Sequence, residues 1–137
     1  MREILFRGKP NATNEWIYGD LVSHRNKSPK NGKFIGVIAT TPTKQYKIHR
    51  VKIDTIGQYT GLKDKNGTKI FEGDILSIPA YLDGEKCVCV YQATDTGIGF
   101  EFIQSKRYCL GDNTRILSNE WEDFEIIGNI YDNPELL

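Results

Sequence analysis

The sequence predicts a mainly β protein with little helix, and three observations carry that expectation. Apolar residues recur at a period of two rather than 3.6. Gly, Asn, Asp and Pro break these runs at short intervals, as turns between short strands do. One phrase also occurs twice, as IYGDLV at Ile17–Val22 and as IFEGDIL at Ile70–Leu76.

Near the start, Ile4 and Phe6 alternate with polar neighbours, a first short strand. Glu15 to Tyr18 and then Leu21–Val22 predict a second, interrupted at Gly19-Asp20. KFIGVIAT, Lys33 to Thr40, is β-branched and nearly all apolar, so it is expected in the core. In the next segment Tyr46, Ile48 and Arg50 share one strand face and Lys47, His49 and Val51 the other, continuing through Ile53.

Asp64-Lys65-Asn66-Gly67 is the strongest local turn signal, because Asn-Gly accepts the positive φ values of tight hairpins. A two-residue Asn66-Gly67 loop sets Leu62 opposite Phe71 and Asp64 opposite Lys69, two favourable cross-strand pairs. A type I turn with Gly67 as bulge sets Lys63 against Lys69 instead, so the first register is preferred. Ile75 to Ile78 forms the following strand, stopped by Pro79, which has no N–H for a ladder. Asp83-Gly84 is the next corner. KCVCVY, Lys86 to Tyr91, puts Cys87, Cys89 and Tyr91 on one face and Val88 and Val90 on the other, a strand covered on both sides. Gly97 to Ile103 is its hairpin partner, Phe124 to Tyr131 is a last apolar strand, and Asn133-Pro134-Glu135 opens at most one helical turn.

Each copy of the repeated phrase reads aliphatic, aromatic, Gly, Asp and two aliphatics, with one extra residue in the second. The physical expectation is a corner. Gly19 and Gly73 relieve a sharp bend, and Asp20 and Asp74 accept hydrogen bonds from nearby amides as the chain enters a strand.

The chain's 137 residues suffice for one well-buried core, and 39% hydrophobic with 26% charged residues is the composition of a globular protein. A formal net charge of +0 provides no global field toward nucleic acid or anionic lipid, so any such attraction must be local. The opening MREILFRGKP is charged from its second residue and too poor in apolar residues for a signal sequence. No run approaches the ~20 apolar residues of a membrane span. Three cysteines, with Cys87 and Cys89 spaced as one strand face rather than as C-x-x-C, fit a reducing cytosolic setting. The expected location is the bacterial cytoplasm.

Four blocks in order, MREILFRGKP, WIYGDLV, IGQYTGLKDKNGTKIFEGDIL and FEIIGNIYDNPELL, resemble the YopX family of small phage and prophage proteins from end to end, with a variable middle from Ser77 to Glu120. The resemblance implies an SH3-like small barrel with additional N- and C-terminal strands, found as homo-oligomers. It transfers no catalytic residues. The domain expectation is a single YopX-like unit over 1–137, with a barrel core at about 50–131 and the strands of 1–49 packed with it.

Chemistry-bearing motifs are sparse. His24 and His49 lie on separate segments, and Cys87 with Cys89 would need two distant ligands to hold zinc, so neither metal nor cofactor is expected. There is no G-x-S-x-G elbow, Cys109 has no sequence-local base, and both phosphate-binding glycine motifs are missing. Asp20 and Asp74 as paired acid–base carboxylates are outweighed by their turn roles. The expectation is a non-enzymatic protein.

Charge distribution is the one functional signal. From Leu21 to Ile53 the chain carries Arg25, Lys27, Lys30, Lys33, Lys44, Lys47, Arg50 and Lys52 and no acid. From Glu120 onward it carries Glu120, Glu122, Asp123, Glu125, Asp132 and Glu135 and no Lys or Arg. The two regions either neutralise each other within one fold, or meet between subunits and orient a head-to-tail oligomer. Trp121, with Glu122 and Asp123, is the expected oligomer anchor. The leading function is an oligomeric protein-interaction or regulatory module with a host or phage protein partner. The alternative is nucleic-acid binding through the basic loop 23–33, with Arg25, Lys27, Lys30, Lys33, Lys47 and Arg50 on phosphates and Tyr46 or Trp16 for stacking.

Overall fold

The computed structural model describes residues 3–27, 32–40, 45–79, 84, 86–94, 97–104 and 123–137, and over 24–27, 91–94 and 97–104 it describes the backbone alone. Among these residues ten strands form: β1 (Phe6–Gly8), β2 (Ile17–Lys27), β3 (Phe34–Thr40), β4 (Lys47–Val51), β5 (Gly57–Lys63), β6 (Lys69–Phe71), β7 (Asp74–Ser77), β8 (Lys86–Thr94), β9 (Gly97–Gln104) and β10 (Glu125–Asn129). Single 3-10 turns occupy Ile53–Thr55 and Pro134–Leu136. The strands make two sheets, in the orders β4-β3-β2-β1-β5-β6 and β10-β7-β8-β9. The fold is mainly β, as the period-two pattern predicts, and closure into a small barrel is not part of these pairings. No helix among the described residues is long and apolar enough to cross a membrane.

The chain packs as two compact units, Met1–Tyr59 and Thr60–Leu137, with β5 running through the division. In the first unit the predicted core strand holds. Val37, Ile38 and Ala39 of β3 are buried, and Ile38 and Val51 share the inward face through the register Ile38↔His49 and Gly36↔Val51. Gly8 and Gly36 lie on that face too, and a Cβ on either would meet Val51. The start of the chain is stapled across the unit: Lys52 N donates to Lys9 O at 2.8 Å, and Lys9 N donates to Thr55 Oγ1 at 2.9 Å.

The expected corner at Gly19-Asp20 is corrected here. Both residues lie inside β2, which runs unbroken from Ile17 to Lys27, with Gly19 opposite Phe6 and Asp20 opposite Ala39. The bends in β2 come later, at register shifts between Leu21 and Ser23 and between Ser23 and Asn26. Gly19 is required by proximity rather than by a turn, because a Cβ there would collide with the Ala39 carbonyl oxygen. The likeness of the two phrases is therefore one of letters, and only the second copy turns.

In the second unit, Ile70, Leu76, Ile78, Cys87, Cys89 and Phe124 form one buried cluster, with Leu62 and Ile126 packed against it. Cys87 and Cys89 are buried in that core and form no disulfide, as the alternation of β8 predicts. β8 and β9 pair along their whole length as a hairpin, from Cys87↔Gln104 to Thr94↔Gly97. Gly84 has the expected left-handed backbone, φ 71°, while its neighbour Asp83 lies outside the described residues.

The Asn66-Gly67 hairpin forms, in the register ranked second. Gly67 N donates to Asp64 O at 3.0 Å and Asp64 N donates to Thr68 O at 2.8 Å, so Asp64 faces Thr68 and not Lys69. Gly67 has φ 79°, and among the described residues no residue other than glycine has a positive φ. A type I′ turn needs positive φ at both central residues, so Asn66 cannot occupy one; the loop is a type I turn with a left-handed glycine bulge. Opposing Lys63 to Lys69 costs little where both side chains reach water, and the Asp64 carboxylate outweighs it, as described below.

At the second copy of the phrase the corner is real. Gly73 has φ 91°, where a side chain is strained, and its carbonyl accepts Ile130 N at 2.9 Å while its N–H donates to Cys89 O at 2.8 Å. Asp74, 2% exposed, accepts Phe71 N on Oδ2 at 2.7 Å, closing the turn and opening β7. Asp74→Ala should therefore cost about 2 kcal/mol by leaving a buried amide without its acceptor. A urea midpoint equal to that of the parent would contradict this placement.

Candidate functional site

The buried carboxylates come first, since they are where acid–base chemistry would be sought. Asp64 is 6% exposed and sits at the foot of the hairpin turn. Its Oδ1 accepts Asn66 N and Thr68 N, each at 2.9 Å, and its Oδ2 accepts Ile126 N at 3.0 Å. Lys65 N adds a bond to Phe124 O at 2.9 Å, and on the surface Lys65 Nζ meets Glu125 Oε2 at 3.2 Å. The turn thus seals the outer edge of β10, and Asp64 is an organising carboxylate. Asn129 does the same at the other end of β10: its Oδ1 accepts Tyr131 N at 3.0 Å and Asp132 N at 2.9 Å. Asn133 Oδ1 accepts Asn129 N at 3.2 Å. Among the described residues no three of His, Cys, Asp and Glu converge as metal ligands.

The predicted basic and aromatic residues fare differently from one another. Lys30, Trp121 and Glu122 lie outside the described residues, and Arg25 and Lys27 are described by their backbone alone, in β2. Lys33, Lys47 and Arg50 are exposed, as is Asp123. His49 is held by its own sheet, its Nε2 lying 3.1 Å from Thr40 Oγ1.

Register sets Tyr46 and Arg50, both named in the nucleic-acid expectation, on one face with Tyr18 and Ile48, which that expectation did not name. Asp20, Ala39 and Ile48 stand side by side across β2, β3 and β4, and Ser23, Val37 and Arg50 form a second row on the same face. Two residues before Asp20 is Tyr18, and two before Ile48 is Tyr46, so period two puts both tyrosines on this face. Tyr46 is 71% exposed, Ile48 69% and Tyr18 47%. Ala39 and Val37, which lie between these rows' outer members, are buried. Arg50 is exposed on this face of β4, the outermost strand of its sheet, with exposed Lys52 just beyond the strand, while Lys47, also exposed, lies on the opposite face with His49 and Val51.

Trp16 is the residue misjudged as a stacking platform. Arg7 Cζ lies 4.4 Å and Lys9 Nζ 5.5 Å from the centre of its ring, and both cations are more than nine-tenths buried. The β1–β2 register, Arg7↔Tyr18 and Gly8↔Ile17, brings Arg7 and Lys9 to the face that carries Trp16. Such a cation–π stack contributes about 1–2 kcal/mol when desolvated, and it occupies the ring. The alternation R-x-K facing W-x-Y was visible in the sequence, but its meaning depended on the register.

Comparison with known proteins adds the following. The sequence profile described as "YopX protein" matches residues 5–137. A search of curated proteins finds no match. Among solved structures, the chain is similar to the crystal structure of protein EF1440 from Enterococcus faecalis at 24% sequence identity, with 100% of this chain and 99% of that chain covered and a TM-score of 0.47.

Proposed function

The chain belongs to the YopX family, and from that premise we propose that it is a non-enzymatic interaction or regulatory module, encoded by a phage or prophage and working as a homo-oligomer in the bacterial cytoplasm. The observation that carries this reading is the β2–β3–β4 face. It exposes Tyr18, Val22, Tyr46 and Ile48 beside Arg50, the mixture of aromatic, aliphatic and arginine side chains that binding surfaces use. The buried carboxylates support it too, since Asp64 and Asp74 accept backbone amides and so hold turns in place. The SH3-like barrel over about residues 50–131 and a host or phage protein partner belong to the same proposal.

Multi-angle light scattering tests the oligomer, with an expected mass that is a multiple of 15.6 kDa. Trp121→Ala should lower that mass while leaving the melting temperature nearly unchanged. Unchanged mass with a large loss of thermal stability would place Trp121 in the core instead. Pull-down of tagged protein from prophage-induced cells, with nuclease treatment, tests the partner: a protein retained after nuclease supports the module.

The second reading, nucleic-acid binding through residues 23–33, is favoured by the absence of any acid from Leu21 to Ile53.

A further inference from the structure

We propose that Asn66-Gly67 is a site of spontaneous covalent modification. The Gly67 backbone nitrogen closes on the Asn66 side-chain carbonyl carbon to give a succinimide, water opens it to aspartate or isoaspartate, and the isoaspartate form releases the turn that holds β10. The proposal uses none of the residues of the β2–β3–β4 face and is independent of both readings above.

The reaction balances within the turn and one water molecule. A bond forms between Gly67 N and Asn66 Cγ as the Cγ–Nδ2 bond breaks. The two hydrogens of the side-chain amide and the one on Gly67 N leave with Nδ2 as ammonia. Water then adds across one of the two imide C–N bonds. Opening at Cγ gives aspartate. Opening at the Asn66 backbone carbonyl carbon gives isoaspartate, in which the chain runs on through Cβ and Cγ.

Three observations carry the chemistry to this pair. Asn66 and Gly67 are both exposed, so water reaches the imide. A Cβ built at Gly67 would meet nothing within 4 Å, so neither a side chain of its own nor a neighbour crowds the attacking nitrogen. Asn66 Nδ2 donates to Glu125 Oε1 at 3.4 Å, longer than the usual N–H···O range, and a bond that long restrains the amide weakly.

The turn supplies the restraint. Gly67 N donates to Asp64 O at 3.0 Å, and Asp64 Oδ1 holds Asn66 N and Thr68 N, each at 2.9 Å, so the attacking nitrogen is engaged while the hairpin is closed. Ring closure therefore proceeds through local opening of the turn. The two products differ in effect. Aspartate puts a second carboxylate beside Glu125, whose side chain is 44% exposed, and water screens the pair. Isoaspartate lengthens the backbone by one carbon, about 1.5 Å, between the two amides that Asp64 Oδ1 spans. The same carboxylate holds Ile126 N at 3.0 Å through Oδ2, so the loosened turn reaches β10.

The test is peptide mapping by mass spectrometry of purified protein incubated in mildly alkaline buffer, with fragmentation that separates aspartate from isoaspartate. The sequence has a second Asn-Gly pair, Asn31-Gly32, so the two are read on separate peptides. Conversion is expected at Asn66, rising with pH because attack needs Gly67 N to lose its proton. It should be about fivefold faster in the urea-unfolded chain, the rate equivalent of one net hydrogen bond. Asp64→Asn, verified as folded by circular dichroism, should convert faster than the parent. Asn66→Gln should stay intact over the same period, because its closure needs a six-membered ring. The isoaspartate fraction, separated chromatographically, should melt below both the parent and Asn66→Asp. An Asn66 that stays intact in the folded protein while the unfolded chain converts overturns the proposal. An isoaspartate fraction that melts with the parent overturns the coupling to β10, and a folded Asp64→Asn that converts no faster than the parent overturns the role of the turn.

Discussion

Asp64→Ala should lower the melting temperature by about 10 °C, the largest effect of any single polar substitution in the second unit. Three backbone amides, of Asn66, Thr68 and Ile126, lose a charged acceptor held at 2.9–3.0 Å. Hydrogen bonds to a charged group contribute about 1.5–3 kcal/mol each, and leaving buried donors unmade adds a desolvation cost. Because the three share one carboxylate they do not add fully, and about 3 kcal/mol in all is expected. For a chain of this length each kcal/mol moves the midpoint by about 3 °C. Asp64→Asn keeps one carbonyl acceptor and should lose about half as much. Equal melting of Asp64→Ala and the parent would mean that the turn does not hold β10.

Gly19→Ala should destabilise the first unit by about 3 kcal/mol, more than substitution of any exposed charge. The colliding atom is the Ala39 carbonyl oxygen, part of the backbone of the adjoining strand, so relief requires β2 and β3 to separate. Gly36→Ala is the matched control. Its Cβ would meet Cδ1 of Ile56, the far end of a flexible side chain, which can rotate away. The expected cost there is about 1 kcal/mol. Urea unfolding of both variants makes the comparison directly. Should Gly36→Ala prove the more damaging, the close approach of β2 and β3 at Gly19 is wrong.

Much of the local structure was legible because it depends on neighbours in sequence. The period-two runs around Ile38 and Cys89 became buried strands, Asn66-Gly67 became a hairpin, Gly73-Asp74 became a corner, and Pro134 opened a single helical turn. The two errors have a common origin. Gly19-Asp20 looked like Gly73-Asp74 because both pairs combine a flexible backbone with a hydrogen-bonding side chain. Whether such a pair bends or stays extended is decided by what lies alongside, and β1 and β3 flank Gly19 on both sides. The hairpin register was misjudged on cross-strand charge pairs, which are weak at a surface, while the Asp64 carboxylate's bond to Ile126, sixty-two residues away, could not enter a local comparison.

The candidate surface divides in the same way. That Lys47, Arg50 and their neighbours form an acid-free stretch was plain from the sequence. That Tyr18 joins Tyr46 across an intervening strand was not, because it follows from the order β4-β3-β2 and the registers within it. The sequence alone determined strand content, the turns at Asn66-Gly67 and Gly73-Asp74, the buried cysteine face and family membership, since these rest on periodicity, turn chemistry and motif order. Only the tertiary structure decided which glycine turns and which merely admits a neighbouring strand, which aspartate organises the second unit, and which aromatic ring stacks against buried cations. Those outcomes depend on contacts between residues far apart in the chain, where a one-residue change of register exchanges the two faces of a strand.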